Sequence, residues 1–329
     1  MPKKNATKTE KPILQYIREH IENGELPENF SLPQDDHSEM NFAPGARDGI
    51  YIFHVPKNEV EEDDKKRIEE ALCAASDGQY EKAESIFKEL SEKTPAVFLM
   101  SDTQQYIADH IDKLSDENLF QFACWLIETS ADKECVKFGL GISNLFECRD
   151  EGFRDAIRTL GLSDEFTVFS VISMLMWHGE ATYEIFDLAK KVHGWGRIHA
   201  VDRLNPDTQE IRDWLFYEGI QNNVLPNYSA FTVFMNSGAE KRLEEPMDRK
   251  DYEAMCALLE PLLTDEPVPG ISSLANAGDI LKKFLTRAGE QDLSEDDLTL
   301  IREIRLFAEN KERPLPQVKE LCDALLNRI

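Results

Sequence analysis

Residues 185–204 read IFDLAKKVHGWGRIHAVDRL, a pattern that predicts a helix, a corner and a second helix. The first half repeats its apolar residues with the spacing of one helix face, at Ile185, Leu188, Ala189 and Val192. This spacing indicates an amphipathic helix that buries one stripe. The glycines of GWG, 194–196, suit the end of that helix. A second buried face, on a helix from 197 to 204, is predicted by Ile198, Val201 and Leu204.

Most of the chain after residue 59 shows the same periodicity. Further stripes of this kind begin at Leu119, Tyr252 and Val318. They predict helices separated by short polar turns, with no convincing strand among them. We therefore predict an all-α fold, an α-solenoid of armadillo- or HEAT-like helical repeats. Residues 163–165, SDE, and 294–297, SEDD, are interpreted as N-terminal caps of helices that follow them.

The first 58 residues differ from this pattern. Residues 1–11 predict a disordered, solvated tail. Residues 12–58 predict a helix ending near Gly24 and then an irregular segment, because prolines forbid a long helix. Within it, residues 50–55, IYIFHV, predict a strand that lies across the helices or forms a small hairpin. The predicted domains are thus 1–11, 12–58 and a helical-repeat domain at 59–329.

Charge and cysteine spacing exclude several classes of protein. The formal net charge is -26, so we expect no nucleic-acid partner, because phosphate would be repelled. We expect no membrane span, since no apolar run is long enough to cross a bilayer. The first residues lack the apolar core of a signal peptide, which predicts a soluble, cytoplasmic protein. The 6 cysteines form no C-x-x-C motif and are expected to be small buried thiols.

Two glycine-containing runs carry a resemblance to a known family. They are GARDG at 45–49, with the Leu-Pro pairs before it, and GWGRIHAV at 194–201. Together they resemble bacterial proteins often labelled limonene hydroxylase, which are mostly helical and armadillo-like. The resemblance covers much of the chain. It implies an armadillo-like fold and, through the label, an oxygenase that acts on a monoterpene.

An oxygenase needs an oxygen-activating cofactor, because side chains alone cannot activate oxygen. The stretch 138–148 lacks the residues of a haem-thiolate loop, and Gly139 and Gly141 lack the third glycine of a dinucleotide motif. None of the 7 histidines has a glutamate three residues before it, as a di-iron bundle requires. The spacing of His193 and His199 could suit two metal ligands, with Asp187 and Asp202 as candidate partners, but no cluster of cysteine, aspartate or glutamate nearby completes a site. We therefore predict no cofactor and no metal, and an enzyme is the less favoured reading.

The two runs also supply the candidate site residues. We interpret five residues as structural turns, namely Gly45, Asp48, Gly49, Gly194 and Gly196. Four residues are candidates for binding a partner, with His199 and Arg203 on the outer face of one helix: Trp195, Arg197, His199 and Arg203. In the alternative, the two arginines pair with acidic neighbours and the tryptophan fills the seam between two repeats.

These observations favour a non-enzymatic scaffold that binds an unknown protein or peptide on the concave face of the solenoid. The alternative is a monooxygenase-type enzyme of small molecules, as the family label implies.

Overall fold

The structure is a computed structural model that describes residues 11–33, 42–56, 59–147, 150–177 and 179–327. Within these ranges the regular elements are helices, and one isolated bridge joins Glu22 to Glu25. The all-α prediction is thus confirmed. The predicted tail, 1–11, lies outside the described residues except for residue 11. In the described part of the chain, no helix is both long and apolar enough to cross a membrane.

The chain divides into two compact units, Met1–Ala200 and Val201–Ile329. The predicted boundary after residue 58 falls inside the first unit. The helices of this unit are α1 (Ile13–Arg18), α2 (Ala46–His54), α3 (Glu62–Ser76), α4 (Tyr80–Ser91), α5 (Ala96–Asp109), α6 (Asp116–Thr129), α7 (Lys133–Ser143), α8 (Glu151–Gly161), α9 (Thr167–Leu175) and α10 (Ala181–Lys191). The boundary between the two units, after Ala200, falls within α11 (Gly194–Arg203).

Helices α5 and α7 run in the same direction. Near their starts, the N–H of Ala96 donates to Glu134 at 2.7 Å, and further along Gln104 donates to the carbonyl of Gly141 at 2.8 Å. Helix α9 continues this row, because Ser173 donates to Asn144 at the far ends of α9 and α7. The row α5–α7–α9 therefore consists of parallel helices.

The intervening helices form a second set of parallel neighbours. Arg154 and Arg158 of α8 pair in order with Glu180 and Glu184 at the start of α10, both at 2.7 Å. In the same way, contacts between α4 and α6 join Tyr80 to Gln121 and Glu84 to Ser130. Consecutive helices such as α6 and α7 also pack closely together.

Helix α7 is the centre of the first unit, and all residues from Glu134 to Ser143 are buried. Two glycines permit this close packing. A Cβ at Gly141 would lie 2.0 Å from Sδ of Met100, and one at Gly139 would lie 3.0 Å from the carbonyl oxygen of Ala123. Bulkier residues at these positions would push α7 away from its neighbours.

The second unit has its own helices and core. They are α12 (Gln209–Glu218), α13 (Asn227–Asn236), α14 (Ala239–Arg242), α15 (Arg249–Leu262), α16 (Ala277–Ala288), α17 (Glu295–Ala308) and α18 (Pro316–Leu326), with a 3₁₀ turn at Ile271–Ser273. In its core, the buried rings of Tyr252 and Phe284 are stacked, with centroids 5.5 Å apart. Helix α17 starts with a reciprocal cap between Ser294 and Asp297, which confirms the interpretation of that sequence.

The predicted strand at 50–55 is wrong, because residues 50–54 belong to α2 and Val55 is the residue that ends this helix. Ala46 and Gly49 are buried in this helix, whereas Ile50 and Ile52 are 37% and 38% exposed. The β-branched and aromatic composition favoured a strand, but tertiary contacts decide the local structure. The single bridge lies elsewhere, around Asn23 and Gly24, whose φ angles of 54° and 90° suit a tight two-residue turn. Helix α1 ends at Arg18, earlier than the predicted end near Gly24.

Candidate functional site

The GARDG run begins helix α2 against the turn that precedes α9. Gly45 has a φ of 73°, and its N–H donates to Oε2 of Glu165 at 3.0 Å. A Cβ at Gly45 would lie 2.4 Å from the carbonyl oxygen of Asp164. Glycine is therefore required here both by conformation and by space. The prediction that Asp48 and Gly49 lie in a turn is wrong, since both are inside α2.

The two glycine-containing runs contact each other. A Cβ at Gly49 would lie 2.2 Å from Cε3 of the Trp195 ring, so the indole packs directly on the α2 backbone. Both runs lie within the first unit at this contact. The two runs, which are far apart in sequence, therefore pack against each other through Gly49 and Trp195.

An aromatic cluster surrounds this contact. Trp195 is only 5% exposed and His199 is fully buried. The ring of Phe53, on α2, lies 6.2 Å from that of Trp195 and 6.0 Å from that of His199, to which it is nearly parallel at 15°. These three rings hold the end of α2 against α11.

A buried lysine lies on the other side of α2. Nζ of Lys137, in the middle of α7, is 2.7 Å from Asp48, 3.0 Å from Glu134 and 2.7 Å from Glu165. All four side chains are buried, and Lys133 adds a second cation 3.4 Å from Glu165. We call these five residues the Lys137 centre. It joins α2, α7 and the turn before α9 through charge.

The carboxylates of the Lys137 centre are not equivalent. Burial raises the pKa of Asp48 to about 6, although Lys137 acts in the opposite direction. Burial would also raise the pKa of Glu165, but Lys137, Lys133 and the N–H of Gly45 lower it to about 2. The three carboxylates hold the pKa of Lys137 well above its usual range, against its burial. Lys137 and Glu165 are therefore charged at neutral pH, whereas Asp48 titrates closer to neutral pH than Glu165 does.

Asp164 has a different task from its neighbour Glu165. Its carboxylate accepts the backbone N–H groups of His193, Trp195 and Gly196, at the start of α11. Burial raises the pKa of Asp164 to about 7, although these hydrogen bonds act in the opposite direction. Gly194 and Gly196 make room for the carboxylate, since a Cβ on either would lie 2.4 Å from one of its oxygens. Helix α11 thus starts at Gly194, earlier than the predicted 197.

A small cleft of about 100 Å³ opens beside Asp164. It is lined by residues of the Leu-Pro region, of the turn around Asp164 and of the segment before α11: Leu26, Pro27, Glu28, Phe30, Pro44, Leu162, Ser163, Asp164, Lys191 and His193. The volume is far below the several hundred Å³ typical of small-molecule sites. The cleft can therefore admit only a small group to the Asp164 carboxylate.

The prediction that His199 lies on the outer face of α11 is wrong. The side chain is buried because the helix starts earlier than predicted and α2 covers it. Trp195 is buried as well, as in the seam-filling alternative. Arg203 is partly buried and forms an ion pair with Asp202 at 3.2 Å, as in the neighbour-pairing alternative. Arg197 is also partly buried, and partner binding by Arg197 or Arg203 stays a prediction.

Sequence reasoning missed the Lys137 centre and the role of Asp164. Lys137 is a lone cation within an apolar run, CVKFGLGI at 135–142, and that signal could have found it. Asp164 and Glu165 were interpreted as caps of the following helix, but α9 begins at Thr167 and their carboxylates bind more distant groups. Local spacing cannot reveal such partners.

No family model, curated protein or solved structure matches this chain. Among the described residues, no group of three or more histidine, cysteine, aspartate or glutamate side chains could hold a metal ion. The contacts of the Lys137 centre, of the Trp195 ring and of Asp164 form a junction between α2, α7, the turn before α9 and the start of α11.

Proposed function

We propose that the first unit is an α-solenoid and that the protein is a non-enzymatic scaffold that binds a protein or peptide. The observation that carries this proposal is the parallel row α5–α7–α9, with α4 and α6, and α8 and α10, as parallel neighbours beside it. Stacked repeats produce such rows, and their extended faces bind other proteins. The link from fold to function is one of analogy.

The use of the motif side chains supports a scaffold over an enzyme. Trp195 and His199 are buried by packing, and four of the five residues of the Lys137 centre are buried. Asp164 is occupied by three backbone N–H groups at the start of α11. Each of these groups has a structural task that accounts for its presence, so no catalytic task is needed to explain it.

The proposal can be tested by selecting binders from a displayed library of random peptides on the immobilised full-length chain. We expect peptides with a Kd below about 100 μM, since stacked helical faces bind extended segments. Hydrogen exchange should show protection of amides in the row α5–α7–α9. A selection without binders, or protection confined to residues 201–329, would contradict the proposal.

The oxygenase alternative has its own test on the same purified protein. An absorption band in the visible range or a stoichiometric metal, together with conversion of a monoterpene, would replace the scaffold proposal. We expect neither signal, because the sequence lacks the residues of the three cofactor routes considered above.

A further inference from the structure

Helix α2 lies on the row of helices rather than inside it. Of its nine residues, only Ala46, Asp48 and Gly49 are buried. Ile50 and Ile52, further along the helix, remain 37% and 38% exposed. Helix α7, by contrast, is buried along its length. Such a short helix with one covered face resembles a bound helical peptide more than a core element.

The surface beneath α2 is built from three other helices. Asp48 reaches Lys137 of α7, and the backbone at Gly49 lies on the Trp195 ring of α11. On α5, the ring of Phe98 lies 6.2 Å from that of Tyr51. We call this surface of α5, α7 and the start of α11 the α2 groove.

The charges of the Lys137 centre balance without Asp48. Lys133 and Lys137 face Glu134 and Glu165, two cations against two carboxylates. Asp48 adds a third carboxylate. Breaking a buried ion pair is usually costly because a charge is left unpaired, but here Lys137 keeps two partners when Asp48 leaves. The groove can therefore exist empty at a lower electrostatic cost than a simple buried pair would allow.

We infer that the α2 groove is a helix-binding site that α2 occupies in cis, and that the protein's partner replaces α2 with a short helix of its own. This inference rests on the proposed scaffold function and names the chemistry of the partner. The partner helix carries a carboxylate at the place of Asp48 and a glycine at the place of Gly49. An aromatic residue four positions later reaches the rings of Trp195 and His199, as Phe53 does.

The groove contacts explain each part of this pattern. The carboxylate fixes the register of the helix, a role for which buried charges are well suited. The glycine is required by the indole, which leaves no room for a Cβ. The aromatic ring supplies apolar contact area that the two short residues cannot.

The experiment uses a fluorescent peptide of residues 42–56 and the full-length chain. Asp48→Lys places a second cation against Lys137 and should release α2 from the groove. We expect this variant to bind the peptide at least about tenfold more tightly than the wild-type chain does, because its groove is vacant. The same peptide carrying Asp48→Lys should not bind. The chain variant Asp63→Lys, at an exposed carboxylate of α3, serves as the matched control and should behave as wild type.

Hydrogen exchange of the wild-type chain provides a second test that needs no variant. We expect α2 amides to exchange at least about 100-fold faster than those of α7, through a local opening. Equal rates would overturn the inference, since α2 would then open only with the core. Failure of the peptide to bind a folded Asp48→Lys chain, or a dimer that excludes the peptide, would overturn it too. If library peptides still bind elsewhere on the first unit, the scaffold proposal survives that failure.

Discussion

An aspartate carboxylate binds the first backbone N–H groups of both α11 and α17, but among the side chains that the structure describes, only the carboxylate at α17 has a cation beside it. Asp297 belongs to α17 itself, exchanges hydrogen bonds with Ser294 and forms an ion pair with Arg249 at 2.8 Å. Asp164 comes from the turn before α9 and accepts three N–H groups of the α11 start beside a second carboxylate, Glu165. A helix start accepts an anion in both cases.

The pKa values of these two residues differ in direction. Burial raises the pKa of Asp297, but Arg249 and Ser294 more than offset it, and the pKa lies below its usual range. Burial raises the pKa of Asp164 to about 7 despite its hydrogen bonds. The comparison teaches that a carboxyl group at a helix start stays charged more readily when a cation accompanies it. Without one, in a buried setting, it favours the protonated form.

The largest effect is expected from removing the cation of the Lys137 centre. Lys137→Met leaves Asp48, Glu134 and Glu165 buried together without their shared partner. We expect a loss of about 3–5 kcal/mol in the free energy of unfolding of the first unit, as for other broken buried pairs. Chemical denaturation followed by hydrogen exchange in α7 measures it. Lys93→Met, at an exposed lysine, should change little, and a loss below about 1 kcal/mol in Lys137→Met would show that the carboxylates tolerate each other.

The next effect is a dependence of stability on pH that Asp164 dominates. A raised pKa in the folded state means that the stabilisation is complete at low pH and is lost as the pH rises through about 7. We expect the free energy of unfolding of the first unit to fall by about 2 kcal/mol between pH 5 and pH 8. Asp48, with a pKa of about 6, acts in the same direction.

Asp164→Asn isolates this contribution, because the amide oxygen still accepts hydrogen bonds but no longer titrates. The slope of unfolding free energy against pH should flatten in this variant and persist in the control Asp63→Asn. Denaturation curves across that pH range give both slopes. Identical slopes in wild type and Asp164→Asn would assign the pH dependence to Asp48 or to the overall negative charge instead.

The same comparison shows what the sequence could predict. Ser294 and Asp297 are neighbours in sequence, and the cap of α17 was predicted from their spacing and confirmed. Asp164 was assigned to the wrong helix because its partners lie in α11, far along the chain. Helical periodicity predicted the fold class but could not predict the Lys137 centre. Periodicity reports which face of a helix is buried, whereas the centre depends on which helices meet.

A smaller effect is expected at the contact of the two motifs. Gly49→Ala places a methyl group 2.2 Å from the Trp195 ring, so α2 or the indole must move. We expect a loss of about 1–3 kcal/mol in stability, typical of overpacking, with a change in tryptophan near-ultraviolet circular dichroism. Gly152→Ala, at an exposed residue in the first turn of α8, is the matched control and should change stability little, because its Cβ would approach only Oδ1 of Asp150, at 3.2 Å. Unchanged stability and spectrum in Gly49→Ala would mean that α2 does not rest on the indole.

The smallest effect, at α17, has the opposite sign of pH dependence. Asp297→Asn removes the anion between Ser294 and Arg249, and we expect a loss of about 1 kcal/mol at neutral pH. Because the pKa of Asp297 is lowered in the folded state, its stabilisation is present at neutral pH and is lost as the pH falls. Hydrogen-exchange protection of α17 in the two proteins should therefore differ at pH 7 and converge towards pH 3. Protection that differs more at acidic pH would place Asp297 in the same class as Asp164, and the accompanying cation would then not be what separates the two helix starts.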